Sequence, residues 1–380
     1  MRVLQLISTI GYYGAESVVC GLSRESHRLG HGTVVSTLTR KDRHSGTIVE
    51  KAQGAGIPAF DFPCSGRIDF SVLRSLRALI REQRIELIHS HNYKSNIYAY
   101  LAALGKKIPL VSTCHNWTVA TRSLRIYASI DQSLLRAFDK VIAVSDKVAG
   151  QLRLAGLPDS RVSVIANGIE IQEFETARPS VPAPAPGEIT IGTACRMVPE
   201  KGIPDLLYSF AALLDRFPNI RLIIAGDGPN RQEFETIARK LGISGRVSFL
   251  GFQNDMPAIY ASMDIFVLPS LNEGMPMSIL EAMAAGKPVI ATSVGAVPKV
   301  VTENVGVLIE PGSRHALQEA LERMLASQPL RVSLGRAGYE LVSRQFGVRT
   351  MTESYLDLYE DVLHHRGRKQ SPQLLPCDTQ

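Results

Sequence analysis

Residues 189–226 read ITIGTACRMVPEKGIPDLLYSFAALLDRFPNIRLIIAG. ITIGTACR at 189–196 is a short apolar run of strand type. Residues 203–216 carry apolar side chains at helical spacing, and RLIIAG at 221–226 is a second apolar run closed by glycine. Strand, helix and strand in that order form a βαβ unit, whose two strands lie parallel with the helix crossing one face. The pattern continues downstream. Strands are expected at 247–251 (VSFLG), 264–270 (DIFVLPS), 288–292 (PVIAT) and 305–309 (VGVLI), with helices at 229–241, 255–261, 277–285, 314–326, 329–346 and 350–365.

Upstream, TARPSVPAPAPG at 176–187 is proline-rich, lacks apolar periodicity and reads as a stiff, extended connector. Ahead of it the alternation occurs a first time. Strands are expected at 3–7 (VLQLI), 33–38 (TVVSTL), 86–91 (ELIHSH), 109–115 (PLVSTCH) and 140–145 (KVIAVS), and helices at 15–29, 69–84, 94–104 and 123–137. Asp69 is placed to cap the helix at 69–84, with Leu73, Leu76, Leu79 and Ile80 on its apolar side. The fold class is therefore α/β, with two doubly wound, Rossmann-like domains at 1–175 and 188–349, a linker at 176–187 and an aperiodic, disordered tail at 367–380.

Composition narrows the function. The chain has 380 residues, is 45% hydrophobic and 21% charged, and carries a formal charge of +6. That excludes wholesale disorder, collagen and coiled coil. The basic excess is too thin for a dedicated nucleic-acid binder, and no nucleic-acid partner is expected. No stretch reaches the ~18 apolar residues of a membrane span, and the N-terminal apolar run is too short for a signal-peptide core. A cytoplasmic location is expected. Cys20, Cys64, Cys114, Cys195 and Cys377 are dispersed without a CxxC pair, which argues against a disulfide framework and structural zinc.

In doubly wound sheets, ligands bind beyond the carboxyl ends of the strands. Gly11 and Gly14 of ISTIGYYGAE bracket a strand-to-helix turn where backbone N–H groups can approach an anion; a plain tight turn reads equally well. Neither GxGxxG nor GxxxxGK[ST] occurs, so nicotinamide dinucleotide and P-loop chemistry lose support. RMVPEKG at 196–202 places Arg196 and Lys201 after a strand, where two cations can neutralise a diphosphate or simply decorate the surface. GDGP at 226–229 offers Gly226 and Gly228 in another such turn. The segment 269–292 carries Glu273 in a loop and Glu281 in the following helix, seven residues between them, with Gly274 at a helix start rich in open N–H donors. Carboxylates accept the paired hydroxyls of sugars, and Glu281 among Ile279, Leu280, Ala282 and Met283 needs a partner if buried.

Taken in order, GYYGAE, HSHN at 89–92, His115 of STCH, NGIE at 167–170, RMVPEKG, GDGP and the Glu273/Glu281 pair resemble the retaining glycosyltransferases of the GT-B fold, family four (glycosyl transferases group 1). The likeness runs over residues 1–365. It implies two Rossmann-like domains facing across a cleft, with the acceptor side in the first and the nucleotide-sugar donor side in the second. The helix at 350–366 would cross back to the first domain. It implies that Arg196 and Lys201 hold the donor diphosphate, Glu273 the sugar 3- and 4-hydroxyls and Glu281 the ribose. Gly14 would approach the diphosphate, and His115 would lie beside the transferring sugar. Gly226, Gly228, Gly274, Met275, Pro276 and Met277 would line the donor. His91 reads as a support for that site or as core. Departures from the family pattern fall at Ala296 and Lys299 of SVGAVPKVV, at the tyrosines of GYYGAE and at Glu170. They bear on donor detail and acceptor shape.

The implied reaction is hexosyl transfer, without cofactor or metal, from a nucleotide diphosphate sugar to a glycan or lipid-linked hydroxyl. UDP-sugars come first and GDP-mannose next, in cell-envelope polysaccharide or glycolipid synthesis. Two other readings stay open: a GT-B-like nucleotide-sugar epimerase, and a catalytically silent sugar-nucleotide-binding subunit. Residues 1–180 hold 23 Lys and Arg against 15 Asp and Glu, so the basic excess belongs to the first half. Arg74, Arg77, Arg81 and Arg84 share one helical side, and Lys106, Lys107, Arg122 and Arg125 lie near Trp117 and Tyr127 in sequence. This reads as a solvated face or as a surface for anionic lipid, which would make the protein peripheral on the inner face of the cytoplasmic membrane.

Overall fold

The computed structural model of the chain describes residues 1–9, 14–41, 46–66, 68–115, 131–181 and 185–368. Two parallel sheets organise it. The first contains β1 (Arg2–Ser8), β2 (Gly32–Arg40), β3 (Ala59–Cys64), β4 (Leu87–His91), β5 (Leu110–Cys114), β6 (Lys140–Ala143) and β7 (Val162–Val164), in the order β3-β2-β1-β4-β5-β6-β7. The second contains β8 (Ile189–Ala194), β9 (Ile220–Ala225), β10 (Val247–Gly251), β11 (Ile265–Leu268), β12 (Val289–Thr292) and β13 (Gly306–Ile309), in the order β10-β9-β8-β11-β12-β13. Every strand pair is parallel. Strand order reverses between β1 and β4 and again between β8 and β11. Each reversal opens a crevice at the carboxyl ends of the strands, where doubly wound sheets bind ligands.

The central strands are buried on both faces, which is why VLQLI and IFVL read as apolar runs rather than alternations. In the second sheet, Ile203, Leu206, Leu207, Phe210 and Leu213 of the helix Ile203–Leu213 cover Ile191, Leu222 and Ile224 of β8 and β9. Each such side chain, fully buried, contributes about 1.5–3 kcal/mol relative to exposure. Helix starts follow short polar side chains. Asp69 accepts from the backbone N–H groups of Ser71 and Val72, Ser313 from Ala316 and Ser327 from Leu330.

Contacts divide the chain into two units: Met1–Ala166 with the chain from Arg349 on, and Asn167–Val348. Composition places a linker at 176–187, but the division falls about ten residues earlier. Two contacts account for the shift. Phe174, on the helix Ile171–Glu175, packs against Tyr260 with ring centroids 5.9 Å apart. The Ser180 N–H donates to the Ala258 carbonyl and to Ser262 Oγ, at 3.4 and 3.2 Å. The stretch leading into the prolines therefore belongs to the second unit.

The C-terminal helix, Val348–Arg368, carries Tyr355 and Tyr359 into the core of the first unit. Its far end is held by Arg366, which donates to both carboxylate oxygens of Asp139 at 2.9 Å. Residues 367 and 368, expected in a disordered tail, are helical. The rest of that expected tail, 369–380, lies outside the described residues. Of the helix expected at 123–137, residues 131–135 are helical, and 123–130 lie outside the described residues.

Candidate functional site

In the second unit the chemistry collects at the β8/β11 reversal. Arg196 follows β8 on an exposed bend, and a turn of 3-10 helix, Pro199–Lys201, brings Lys201 back toward the loop after β11. There the Lys201 ammonium donates to Glu273 Oε1 at 2.6 Å, and Ser270 Oγ donates to the same oxygen at 2.7 Å. The Glu273 side chain is only 8% exposed and that of Lys201 21%, so this ion pair is largely withdrawn from water. The Leu271 N–H donates to the Glu200 carbonyl at 2.7 Å and ties the two loops together. Lys201 and Glu273 thus form a single ion pair with no net charge. Arg196 stays open, and among the described residues no side-chain partner is seen for its guanidinium.

Backbone approaches shape the floor. Gly226 sits at φ +117, and a Cβ there would overlap the Cys195 carbonyl oxygen; a Cβ on Gly228 would overlap that of Met197. Only glycine lets GDGP close on the end of β8, and this closure seats the Met197 N–H against the Asp227 carbonyl at 2.9 Å. The Gly274 carbonyl accepts from the Ala296 N–H at 2.9 Å. Ala296, a departure from the family pattern, is therefore packed beside the loop that holds Glu273. Met275 and Pro276 lead into the helix Met277–Ala284, whose first turn has no side-chain cap. The Ile279 N–H donates to the Pro276 carbonyl at 3.3 Å, and the Met277 and Ser278 N–H groups are the open donors of the helix start. Glu281 Oε2 accepts from the Tyr260 hydroxyl at 2.7 Å. The buried Tyr260 hydroxyl is held well above its ordinary range, mainly by desolvation and then by the carboxylate beside it, and so remains a donor. Sequence alone did not single out Tyr260 or Ser270.

In the first unit the chemistry lies at the β1/β4 reversal. β4, LIHSH, is buried at every position, so its two histidines need partners inside the protein. His91 Nδ1 lies 3.3 Å from His115 Nε2, and His91 Nε2 lies 2.9 Å from Gln5 Oε1. His89 Nδ1 lies 2.6 Å from the Tyr359 hydroxyl, and His89 Nε2 lies 2.8 Å from Thr113 Oγ1. Burial pushes the His115 imidazole down to about 4. Burial also lowers His89 and His91 well below the ordinary histidine value, with neighbouring imidazoles adding to it. All three rings are neutral at pH 7. Gly14 opens the helix Gly14–Arg28; residues 10–13 of the loop before it lie outside the described residues.

Arg74, Arg77, Arg81 and Arg84 are exposed along or just beyond the helix Phe70–Glu82. Arg77 and Arg81 come close enough to Lys106 to lower its pKa, after desolvation. Phe70, at the start of that helix, is 76% exposed. Trp117, Arg122, Arg125 and Tyr127 lie outside the described residues. Cys20, Cys64 and Cys114 are buried free thiols, and Cys195 is partly exposed. Among the described residues no helix is long and apolar enough to cross a membrane, and no group of three or more His, Cys, Asp or Glu side chains is arranged to hold a metal ion.

Two family models match the chain in succession: Glycosyltransferase Family 4 over residues 12–173 and Glycosyl transferases group 1 over 175–341. The chain is 29% identical over 305 residues to a D-inositol 3-phosphate glycosyltransferase of Corynebacterium glutamicum, covering 73% of this chain and 72% of that one. It is also 29% identical over 254 residues to the lipopolysaccharide core biosynthesis mannosyltransferase LpsB of Rhizobium meliloti, covering 63% of this chain and 71% of that one. Among solved structures it is similar to Anabaena Alr3699/HepE in complex with UDP-glucose, with a TM-score of 0.82 at 21% identity, over 95% of this chain and 100% of that one. With both family models on one chain and both parallel sheets in place, this protein belongs to the family four glycosyltransferases of the GT-B fold.

Proposed function

We propose that this glycosyltransferase moves a hexosyl unit, with retention, from a nucleotide diphosphate sugar to a hydroxyl of a glycan or lipid-linked acceptor. The observation that carries the reading is the Lys201–Glu273 pair beside the open Arg196 at the β8/β11 reversal. Departure of the diphosphate develops negative charge, and stabilising that charge is the largest part of such catalysis. Arg196 and Lys201 answer it. Glu273 accepts from the sugar 3- and 4-hydroxyls while its other partners hold it still. Glu281, steadied by Tyr260, accepts from the ribose. The helix start at Met277, with Gly274 and Met275 before it, offers N–H donors to the diphosphate, Pro276 lining the turn without an N–H of its own, as Gly14 does in the first unit. His115 takes a hydroxyl of the transferring sugar. The leaving phosphate accepts the acceptor proton, so the chain's own cations carry the charge and turnover is expected to be insensitive to chelators.

UDP-sugars are the favoured donors and GDP-mannose the next. The UDP-glucose complex of the structurally similar Anabaena protein supports the first, and the mannosyltransferase named among the relatives the second. A cell-envelope glycan or glycolipid is the proposed product, in keeping with the lipopolysaccharide core enzymes among the relatives. The Arg74, Arg77, Arg81 and Lys106 cluster with exposed Phe70 supports a cytoplasmic enzyme resting on an anionic membrane face. The test is a panel of sugar nucleotides scored first by thermal shift and then by turnover with lipid-linked and soluble acceptors. A donor raises the melting temperature by mass action. Transfer that Arg196→Ala removes supports the reading. Isomerised sugar formed without acceptor would favour an epimerase. Full cellular function in Glu273→Gln and Lys201→Ala variants would favour a silent subunit.

A further inference from the structure

The hydrogen bonds around β1 and β4 form one unbroken series. His115 Nε2 meets His91 Nδ1, His91 Nε2 meets Gln5 Oε1, and Gln5 Nε2 donates to the Tyr359 hydroxyl at 3.2 Å. That hydroxyl meets His89 Nδ1, and His89 Nε2 meets Thr113 Oγ1, which in turn pairs with the Tyr355 hydroxyl at 3.0 Å. Gln5, His89, His91, Thr113, Tyr355 and Tyr359 are all buried, so no bulk water competes for these groups. Gln5 and His89 are direct neighbours across the β1–β4 register, and the rings of His89 and His91 lie 4.0 Å apart.

The donors in such a series are not independent. A neutral imidazole has one N–H and one lone pair. Gln5 turns its carbonyl to His91 and its amide N–H to Tyr359. His91 must then donate from Nε2, which leaves its Nδ1 as an acceptor, and His115 must donate to it from Nε2. On the other side Tyr359 accepts from Gln5 and so sends its own hydrogen to His89 Nδ1. His89 therefore donates from Nε2 to Thr113. One amide sets the hydrogen position of three rings and one phenol.

We propose that this buried chain, running from the C-terminal helix to the end of β5, fixes His115 as its Nε2–H tautomer and leaves Nδ1 as its open lone pair. Gln5, His91 and Tyr359 are then positioning residues that act through His115. Among the described residues no protein group pairs with His115 Nδ1. Such a ring can accept from a hydroxyl and repels a phosphate oxygen, itself an acceptor. His115 thus reads a sugar hydroxyl in preference to the diphosphate, and loses that preference if the chain runs the other way. The consequence for transfer rests on the role given to His115 above; the hydrogen-bond order does not.

The experiment is a long-range 1H–15N correlation spectrum of the 15N-histidine-labelled full chain near neutral pH, with the three rings assigned through their ring-to-backbone correlations. His89, His91 and His115 are all expected as Nε2–H tautomers. An Nδ1–H pattern at any of the three, or a mixture at His115, overturns the proposal. This result stands even if no donor or acceptor supports turnover, a failure that would count against the glycosyl-transfer reading alone. The second arm is Tyr359→Phe, which removes the acceptor of Gln5 and the donor to His89. The expected result is a fall in kcat of about tenfold, on the order of one lost buried hydrogen bond, with donor KM little changed and His115 converted to mixed tautomers. Unchanged kcat with an unchanged His115 pattern overturns it. Should Tyr359→Phe not fold, the wild-type spectrum decides alone.

Discussion

Replacing Lys201 by methionine keeps the apolar stem and removes the charge from a pair whose carboxylate is 8% exposed. Glu273 then retains Ser270 as a donor but no cation. Breaking a buried pair from one side destabilises by about 3–5 kcal/mol. The 21% exposure of the lysine side admits some water and puts the expectation at the lower end, about 3 kcal/mol. The second unit spans about 180 residues, and there each kcal/mol moves the melting temperature by about 2–4 °C. The shift expected for Lys201→Met is therefore about 6–12 °C downward. Glu273→Gln removes the charge from the more buried side, keeps an acceptor for Ser270 and leaves a lysine that can turn to solvent. Its shift should be about half as large. The double variant should melt above the sum of the two losses, with a coupling of about 1.5–3 kcal/mol. Scanning calorimetry of the four proteins reads all of this. Equal shifts for the two single variants, or a Lys201→Met shift below about 2 °C, would refute the argument that desolvation of Glu273 sets the scale.

Four other outcomes follow from separate features. Gly226→Ala forces a Cβ onto the Cys195 carbonyl at a φ that side chains avoid, so melting should fall by several degrees, by more than for Gly242→Ala, where nothing lies within 4 Å; equal losses would show that close approach is not the cause. The lowered pKa values of His89, His91 and His115 mean that the unfolded chain binds protons the native one does not, so stability is full above about pH 6.5 and is lost as pH falls toward 4, by about 1.4 kcal/mol per unit for each histidine. Denaturant midpoints that stay level between pH 7 and 5 would contradict it. Tyr260→Phe removes the donor to Glu281 and should raise donor KM about threefold to tenfold with kcat nearly kept; a pure kcat loss would place Glu281 elsewhere than on the ribose. Arg77→Glu with Arg81→Glu should abolish flotation with anionic liposomes, each cation contributing about 1 kcal/mol, and undiminished flotation would remove this helix from the membrane surface.

The central strands of both sheets were legible because burial on two faces writes a continuous apolar run. Helix starts such as Asp69 were legible because capping is local chemistry. The edge strands of the first sheet were not. β3, AFDFPC, carries Pro63 and is only partly buried along its middle, and β7 is three residues long, so neither leaves a run that stands apart from loop. The site was legible as separate letters and not as pairs. Arg196, Lys201, Glu273 and Glu281 stand out by type and place. That one oxygen of Glu273 takes both Lys201 and Ser270 depends on how two loops close, 72 residues apart in sequence for the lysine. Gln5 did leave a trace. A glutamine in the middle of VLQLI is a polar side chain in a strand with no wet face, and such a residue needs partners. Its partner Tyr359 lies 354 residues away, beyond any local signal.

The first unit takes Tyr355 and Tyr359 from a helix that is translated after the whole of the second. A ribosome that has released the first 166 residues has made Gln5 and His89 but not the Tyr359 hydroxyl that pairs with both, whereas the second unit is continuous and can close as soon as it emerges. The half that is begun first is therefore finished last. A premature stop or frameshift within the second unit also leaves the first unfinished, so the truncated product contains no complete unit at all.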